Sequence, residues 1–234
     1  MNKEKIFTEN SCWSVLGMRR AGSYHEQRNE ECQDFIADVQ TRYATAIALA
    51  DGAGSCERAQ DGARIAASIT AEFLAKRAHE LELLDDDDIQ YHVLMCVRRA
   101  MNDYCKKNRL LSLKSLGSTL VAAVATRNGI ILVHLGDGWI MKTNEEQKLT
   151  FLSLPENGIR RNQTYLTSML PVMEHVRIKR VPLHDVDAVT LFSDGWETEA
   201  ARYDIDEIET ALKTGEAEAH WDDISVIRMQ KKKV

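Results

Sequence analysis

Short apolar runs of strand character alternate with two long stretches of helical period in this 234-residue chain. The first run, Trp13 to Met18, is followed by a polar stretch from Arg19 to Glu31. Asp34 to Val39 and Tyr43 to Ala50 bracket a turn at Gln40 to Arg42 and predict an antiparallel pair. From Glu57 to Leu81, Ala59, Ala63, Ala66, Ile69, Phe73 and Leu74 recur at helical spacing. A second helix is predicted over Asp86 to Asn108, with Ile89, Val93, Cys96, Val97, Ala100 and Tyr104 on one face. The acidic run Asp85 to Asp88 sits where a helix N-terminus favours negative charge, and it lacks the ligand spacing and central glycine of a calcium-binding loop.

A strand-rich region follows. Ser118 to Thr126 and Ile130 to Leu135 flank Arg127-Asn128-Gly129, and the Asn-Gly pair is a strong hairpin signal. Trp139 to Lys142, Leu149 to Ser153, Gln163 to Thr167, Val176 to Val181 and Ala188 to Ser193 are expected as short strands. Asp204 to Leu212 reads as a short helix and Ile224 to Met229 as a closing strand. Paired strands, then two helices, then many strands point to an α+β sandwich rather than a repeating βαβ order.

Composition narrows the picture. With no Pro-rich or Ser/Gly-rich linker, residues 1–234 are expected to form a single domain, with 230–234 as a solvated basic tail. A formal charge of −6 disfavours a general nucleic-acid binder. No apolar run is long enough to span a bilayer, so no membrane association is expected. The polar start, Met1 to Asn10, lacks a secretory signal, and Cys12, Cys32, Cys56, Cys96 and Cys105 form no paired motif. A cytoplasmic protein with reduced thiols is the expectation.

Candidate chemistry lies in aspartates placed where strands stop. Ala48-Leu49-Ala50 ends in Asp51-Gly52-Ala53-Gly54, Leu132 to Leu135 in Gly136-Asp137-Gly138, and Val189 to Phe192 in Ser193-Asp194-Gly195. Asp222-Asp223 precedes the last strand, and Gln33-Asp34 an earlier one. Any one Asp-Gly is an ordinary turn. Three of them, each after a strongly apolar strand, are a pattern: the strand holds the carboxylate, and glycine permits close approach. Converging carboxylates repel one another unless protonated or neutralised by cations. An all-oxygen donor set selects Mg²⁺ or Mn²⁺ over Zn²⁺, and the seven histidines show no zinc-type spacing. His134, inside an apolar strand, reads as a packed strand residue. Trp139 and Trp196 read equally as cleft wall or as packing under a turn, and Cys56 as a small buried residue near a helix start.

Taken in order, Asp51-Gly52-Ala53-Gly54, Gly136-Asp137-Gly138, Ser193-Asp194-Gly195 and Asp222-Asp223-Ile224-Ser225 resemble the motifs of the metal-dependent protein phosphatase family, the 2C type. The stretches Gly22-Ser23-Tyr24-His25 to Cys32-Gln33-Asp34, and Pro155-Glu156-Asn157-Gly158 with Asn162 to Thr167, resemble a bacterial branch of it. The resemblance implies two packed antiparallel β-sheets flanked by helices, and hydrolysis of phosphoserine or phosphothreonine by a metal-activated water without a phosphoenzyme. It implies two ions, or three, of Mn²⁺ or Mg²⁺. Asp51 would bridge two of them and the Gly52 carbonyl would bind one. Asp194 and Asp222 would complete the first, Asp34 would act through water, and Asp137 would help hold a third. Asp223 stands where many relatives have asparagine and is the lesser ligand of its pair. The phosphate-clamping arginine of many relatives is missing from its usual place, leaving Arg28 as the candidate clamp and His25 as the candidate proton donor. Arg160, Asn162 and Thr164 fall where the family carries a variable flap. The implied partner is a phosphorylated protein, the product of a serine/threonine kinase.

Two rivals remain. Gly52-Ala53-Gly54 between strand and helix suggests a dinucleotide site, but Glu57 stands in place of the third glycine and no βαβ series follows. A phosphoprotein-binding or regulatory module with weak or no turnover would share the fold without the reaction.

Overall fold

The computed structural model describes residues 3–9, 12–144, 146, 148–158, 164–170, 172–196, 205–214 and 221–232. Its strands are β1 (Lys3–Glu9), β2 (Trp13–Arg20), β3 (Phe35–Gln40), β4 (Thr45–Ala50), β5 (Leu120–Ala125) and β6 (Ile130–Leu135). β7 (Trp139–Thr143), β8 (Leu149–Ser153), β9 (Arg177–Val181), β10 (Ala188–Phe192) and β11 (Ile224–Lys231) follow. The helices are α1 (Ser23–Glu26), α2 (Ala59–Leu81), α3 (Asp86–Asn108) and α4 (Ile205–Thr214). Two antiparallel sheets result, ordered β1-β2-β11-β10-β7-β8 and β3-β4-β5-β6-β9.

Three apolar layers explain the long uninterrupted runs in the sequence. In β4, Ala46, Ala48 and Ala50 face the helices, while Ile47 and Leu49 face the other sheet. β5 repeats this, with Leu120, Ala122 and Val124 outward and Val121, Ala123 and Ala125 inward. Alternate side chains of a strand take opposite faces, so a strand covered on both sides reads as continuously apolar. Ala63, Ala66, Ala67 and Ala71 of α2 meet the alanines of β4, and side chains this small let helix and sheet approach closely. On the far side, Ile208, Ala211 and Leu212 of α4 cover Met18, Met141, Phe192 and Val226. The order helix–sheet–sheet–helix is the α+β sandwich expected from the sequence. Among the described residues no helix is long and apolar enough to cross a membrane.

The second long helix spans the predicted residues, and the Asp85 side chain caps it by accepting from the Asp88 backbone N–H at 2.8 Å. One strand was not anticipated and one expected strand is corrected. β1 pairs Lys3–Glu9 with β2 at the edge of its sheet; of its hydrophobic residues Ile6 packs against the core and Phe7 is exposed, so no apolar period shows. Conversely, Thr164–Thr167 is not strand: Thr164 makes one isolated bridge to Asn157, and Thr167 N–H donates to the Ser118 carbonyl at 2.9 Å. Its backbone bonds serve the start of β5 rather than a ladder. Gln163, Arg160, Asn162, Asp204 and the last two residues of the expected basic tail lie outside the described residues.

Candidate metal centre

Strand direction brings the aspartates to one edge. β4 and β6 both pair with β5, so they run the same way and end together. Asp51 follows the end of β4, and Asp137 lies two residues beyond the end of β6. β3 starts at that edge, with Phe35 opposite Ala50, which sets Asp34 beside Asp51. In the other sheet β10 ends where β11 begins: Phe192 faces Val226, and Ser193 N–H donates to the Ser225 carbonyl at 3.0 Å. Asp194 and Asp222 therefore share an edge, and sheet packing turns the two sets toward each other.

The result is an acidic cleft of about 520 Å³ lined by Asp137, Asp194, Asp222, Trp139, Asn157 and Thr164. Asp51, Asp137 and Asp194 each present a carboxylate oxygen within 4.8 Å of the other two. Asp34 lies deeper, and both its carboxylate oxygens are buried without a hydrogen-bond partner. Burial first, and then the neighbouring charges of Asp34, Asp194 and Asp222, push the Asp51 carboxyl well above its usual range. Asp34 is raised to about 7 by burial and by the charge of Asp223. Asp194 is raised to about 7 by burial and by Asp137 and Asp222. Asp137 is raised mainly by burial. Such shifts mark carboxylates that need a proton or a cation nearby.

The backbone holds these side chains rigidly. Asp51 N–H donates to the Thr119 hydroxyl at 3.0 Å, and Thr119 N–H returns a bond to the Asp51 carbonyl at 2.8 Å. Gly136 adopts φ +99°, a left-handed conformation that glycine takes at low cost. A side chain on Gly195 would stand 1.8 Å from the Asp223 carbonyl oxygen, so that turn closes directly on the strand beside it.

Asp222 and Asp223 divide their work. Asp222 is exposed and faces the cleft. Asp223 is 3% exposed and accepts from Gly22 N–H at 2.7 Å, Gln33 N–H at 2.6 Å and His25 Nδ1 at 2.8 Å. Its oxygens are committed to tying residues 22–33 to the start of β11, which positions Asp34. Sequence reasoning set Asp223 aside as a lesser ligand without seeing this clamp. The available signal was its place beside Asp222 with the buried strand following.

His25 is buried against Asp223, with its Nε2 3.9 Å from Glu30, and is not among the described residues lining the cleft. Arg28 lies outside the lining too: its guanidinium sits 3.5 Å from the centroid of the Tyr24 ring, and Nη1 donates to the Tyr24 carbonyl at 3.2 Å. Gly52 pairs with Ser118 in an isolated bridge, and its N–H donates to the Gln33 carbonyl at 3.3 Å. Trp139 lines the cleft, whereas Trp196 is buried edge-on against Phe192. Cys56 precedes α2 in a turn, donating its N–H to the Ala53 carbonyl at 2.8 Å.

His134 is a fully packed strand residue with a job at the site. Its Nε2 bonds the Gly136 carbonyl at 3.1 Å and its Nδ1 the Ser153 hydroxyl at 2.7 Å. Burial, then Arg177, holds the imidazole down to about 3, so it is neutral. With Nε2–H as donor, it fixes the turn that carries Asp137. Replacing it by alanine strands buried polar partners, which typically costs about 1–3 kcal/mol. The expected result for His134→Ala is a melting temperature lower by roughly 2–10 °C, read by calorimetry.

Carboxylates converging from the strand ends of two packed antiparallel sheets between helices are the architecture of the metal-dependent phosphatases. The family model for "Protein phosphatase 2C" matches residues 21–225, and the chain belongs to that family. A curated relative is "Serine/threonine-protein phosphatase 3" of Escherichia coli K12, 20% identical over 136 residues, 55% of this chain; the match spans about half of that relative, 53% of its length. Among solved structures, serine/threonine phosphatase Stp1 from Staphylococcus aureus superposes with a TM-score of 0.66 at 13% identity, covering 98% of each chain. RsbX in complex with magnesium gives 0.64 at 14% identity, covering 98% of this chain and all of the other. At such identities these structures establish the shared fold.

Proposed function

We propose that this protein hydrolyses phosphoserine and phosphothreonine in proteins, using Mn²⁺ or Mg²⁺ held in the acidic cleft. The observation that carries this reading is the meeting of the Asp51, Asp137 and Asp194 carboxylates within 4.8 Å of one another, with the buried Asp34 beside Asp51. A hard-oxygen set of this kind fits octahedral divalent cations. Asp51 would bridge two ions, joined by the Gly52 carbonyl, Asp194 and Asp222. Asp34 would act through ordered water, and Asp137 would serve a third site. When bound, such ions lower the pKa of water and screen the charge of the phosphate.

The chain's own residues supply the rest. Thr119 and the Gly136 turn fix the backbone that carries Asp51 and Asp137 before any ion arrives, which limits the rearrangement that would accompany binding. Trp139 and Thr164 wall the space beside Asp137 and Asp194. His25, held by Asp223 outside the cleft lining, would position the segment that carries Asp34. The magnesium bound to RsbX supports the choice of cation by likeness of fold. The substrate would be the product of a serine/threonine kinase.

A phosphopeptide assay tests the proposal. Hydrolysis should require Mn²⁺ or Mg²⁺, stop with chelator, and fall to background in Asp51→Ala and Asp194→Ala. The stacking of Arg28 on Tyr24 favours a second reading, a phosphoprotein-binding module without turnover. Metal binding together with phosphopeptide binding, and no hydrolysis on any phosphopeptide, selects it.

A further inference from the structure

Beside the cleft, a ledge of aromatic rings and one arginine has no role in the chemistry described so far. Trp221 immediately precedes Asp222 and is 66% exposed; Tyr24 is 36% exposed. Their rings pack with centroids 5.4 Å apart, and Tyr24 N–H donates to the Trp221 carbonyl at 3.1 Å. The Arg28 guanidinium lies over the Tyr24 ring at 3.5 Å, extending the ledge with a cationic end. No carboxylate of the described residues forms an ion pair with it.

The backbone beneath the ledge is closely packed. A side chain on Gly22 would come within 2.2 Å of the Asp222 carbonyl and 2.5 Å of the Trp221 carbonyl, so the two backbones are already in contact. Asp223 then locks Gly22 from the other side. An indole this exposed, on a backbone fixed to a cleft-lining aspartate, is preorganised to bind rather than to fill a core.

The geometry points to a substrate-docking ledge: Trp221 and Tyr24 take an aromatic side chain of the phosphoprotein one to three residues from the phosphorylated serine or threonine, and Arg28 favours an acidic neighbour. This rests on the phosphatase reading of the cleft. Adjacent Cα atoms are about 3.8 Å apart, which sets Trp221 one residue step from Asp222. An extended peptide advances about 3.3 Å per residue, so only near neighbours of the phosphoresidue reach the indole. Stacking on an exposed ring favours a planar partner, and the flat guanidinium extends that surface while supplying charge.

The test compares two nine-residue peptides carrying a non-hydrolysable phosphonate analogue of phosphothreonine, one with a flanking tyrosine and one with glycine there. Calorimetric titration with Mn²⁺ present should show the tyrosine peptide binding roughly three- to tenfold tighter to the wild type, the range of one aromatic pair. Trp221→Ala should erase that preference, and Trp221→Phe should retain most of it, with Mn²⁺ affinity unchanged in both. Equal binding of the two peptides, or a preference that survives Trp221→Ala, overturns the ledge. So does a Trp221-dependent dimer by sedimentation with no peptide preference, which would assign the surface to a second copy of the chain. Hydrolysis of the matching phosphothreonine peptide is scored separately: a flank preference without turnover removes the phosphatase reading and leaves the ledge standing.

Discussion

Asp51→Asn should abolish metal-dependent hydrolysis and at the same time make the metal-free protein more stable at pH 8. The two effects have one cause. Asp51 is half-buried among Asp34, Asp194 and Asp222, and its carboxyl is pushed well up by desolvation and by their charge. At pH 8 the unsubstituted cluster must either keep protons against the solvent or hold repelling charges. An amide of the same shape removes one charge and can donate a hydrogen bond to a neighbouring carboxylate. The loss of activity should exceed roughly 100-fold, because removing even an outer-shell partner of a metal ligand typically costs 10–100-fold. The stability gain is read as a higher melting temperature in chelator, and the same substitution should erase most of the melting shift caused by Mn²⁺. A metal-free melting temperature that falls on substitution, with Mn²⁺ still protective, would show that the carboxylates do not strain one another and that the ions sit elsewhere.

The second large effect is on pH dependence. Burial and the neighbouring carboxylates push Asp34 and Asp194 each up to about 7 in the fold, from an ordinary 3.8. Raised folded-state values mean that the folded chain binds more protons than the unfolded chain between about pH 4 and 7. Stability from these groups is therefore fully present below the ordinary carboxylate range and is lost as pH rises through 7. One such group changes stability by about 1.4 kcal/mol per pH unit within the window. For a chain of this size that corresponds to roughly 3–6 °C in melting temperature. The metal-free protein should therefore melt lower at pH 7.5 than at pH 5.5. Mn²⁺ at 100 times its dissociation constant adds about 2.7 kcal/mol, so its protection should be large at pH 7.5. It should shrink at pH 5.5, where protons compete for the same oxygens. A Mn²⁺ shift independent of pH would disconnect the ions from these carboxylates.

Much of this protein was legible before folding was considered. Strands buried on both faces, such as Thr45–Ala50 and Leu120–Ala125, advertise themselves as apolar runs, and the alanine-rich helical period of α2 is local too. The Asp-Gly pairs could be read because they stand directly at strand ends. β1 escaped notice because an edge strand anchored by one isoleucine has no apolar period to show. Gln163 to Thr167 read as strand because β-type residues were present, while Thr164 makes one isolated bridge to nearby Asn157 and Thr167 bonds the distant Ser118.

What the chain determined by itself was the set of carboxylates and the strands that carry them, since both are properties of neighbouring residues. Tertiary structure alone decided that Asp51, Asp137 and Asp194 meet within 4.8 Å, through antiparallel order in one sheet and the packing of the second against it. It also decided that Asp222 faces the cleft while Asp223 clamps Gly22, Gln33 and His25, and that Arg28 lies on Tyr24. Adjacent aspartates are chemically the same until backbone donors from the opposite end of the chain select one of them; that selection is a matter of distance in space, which one-dimensional order does not encode.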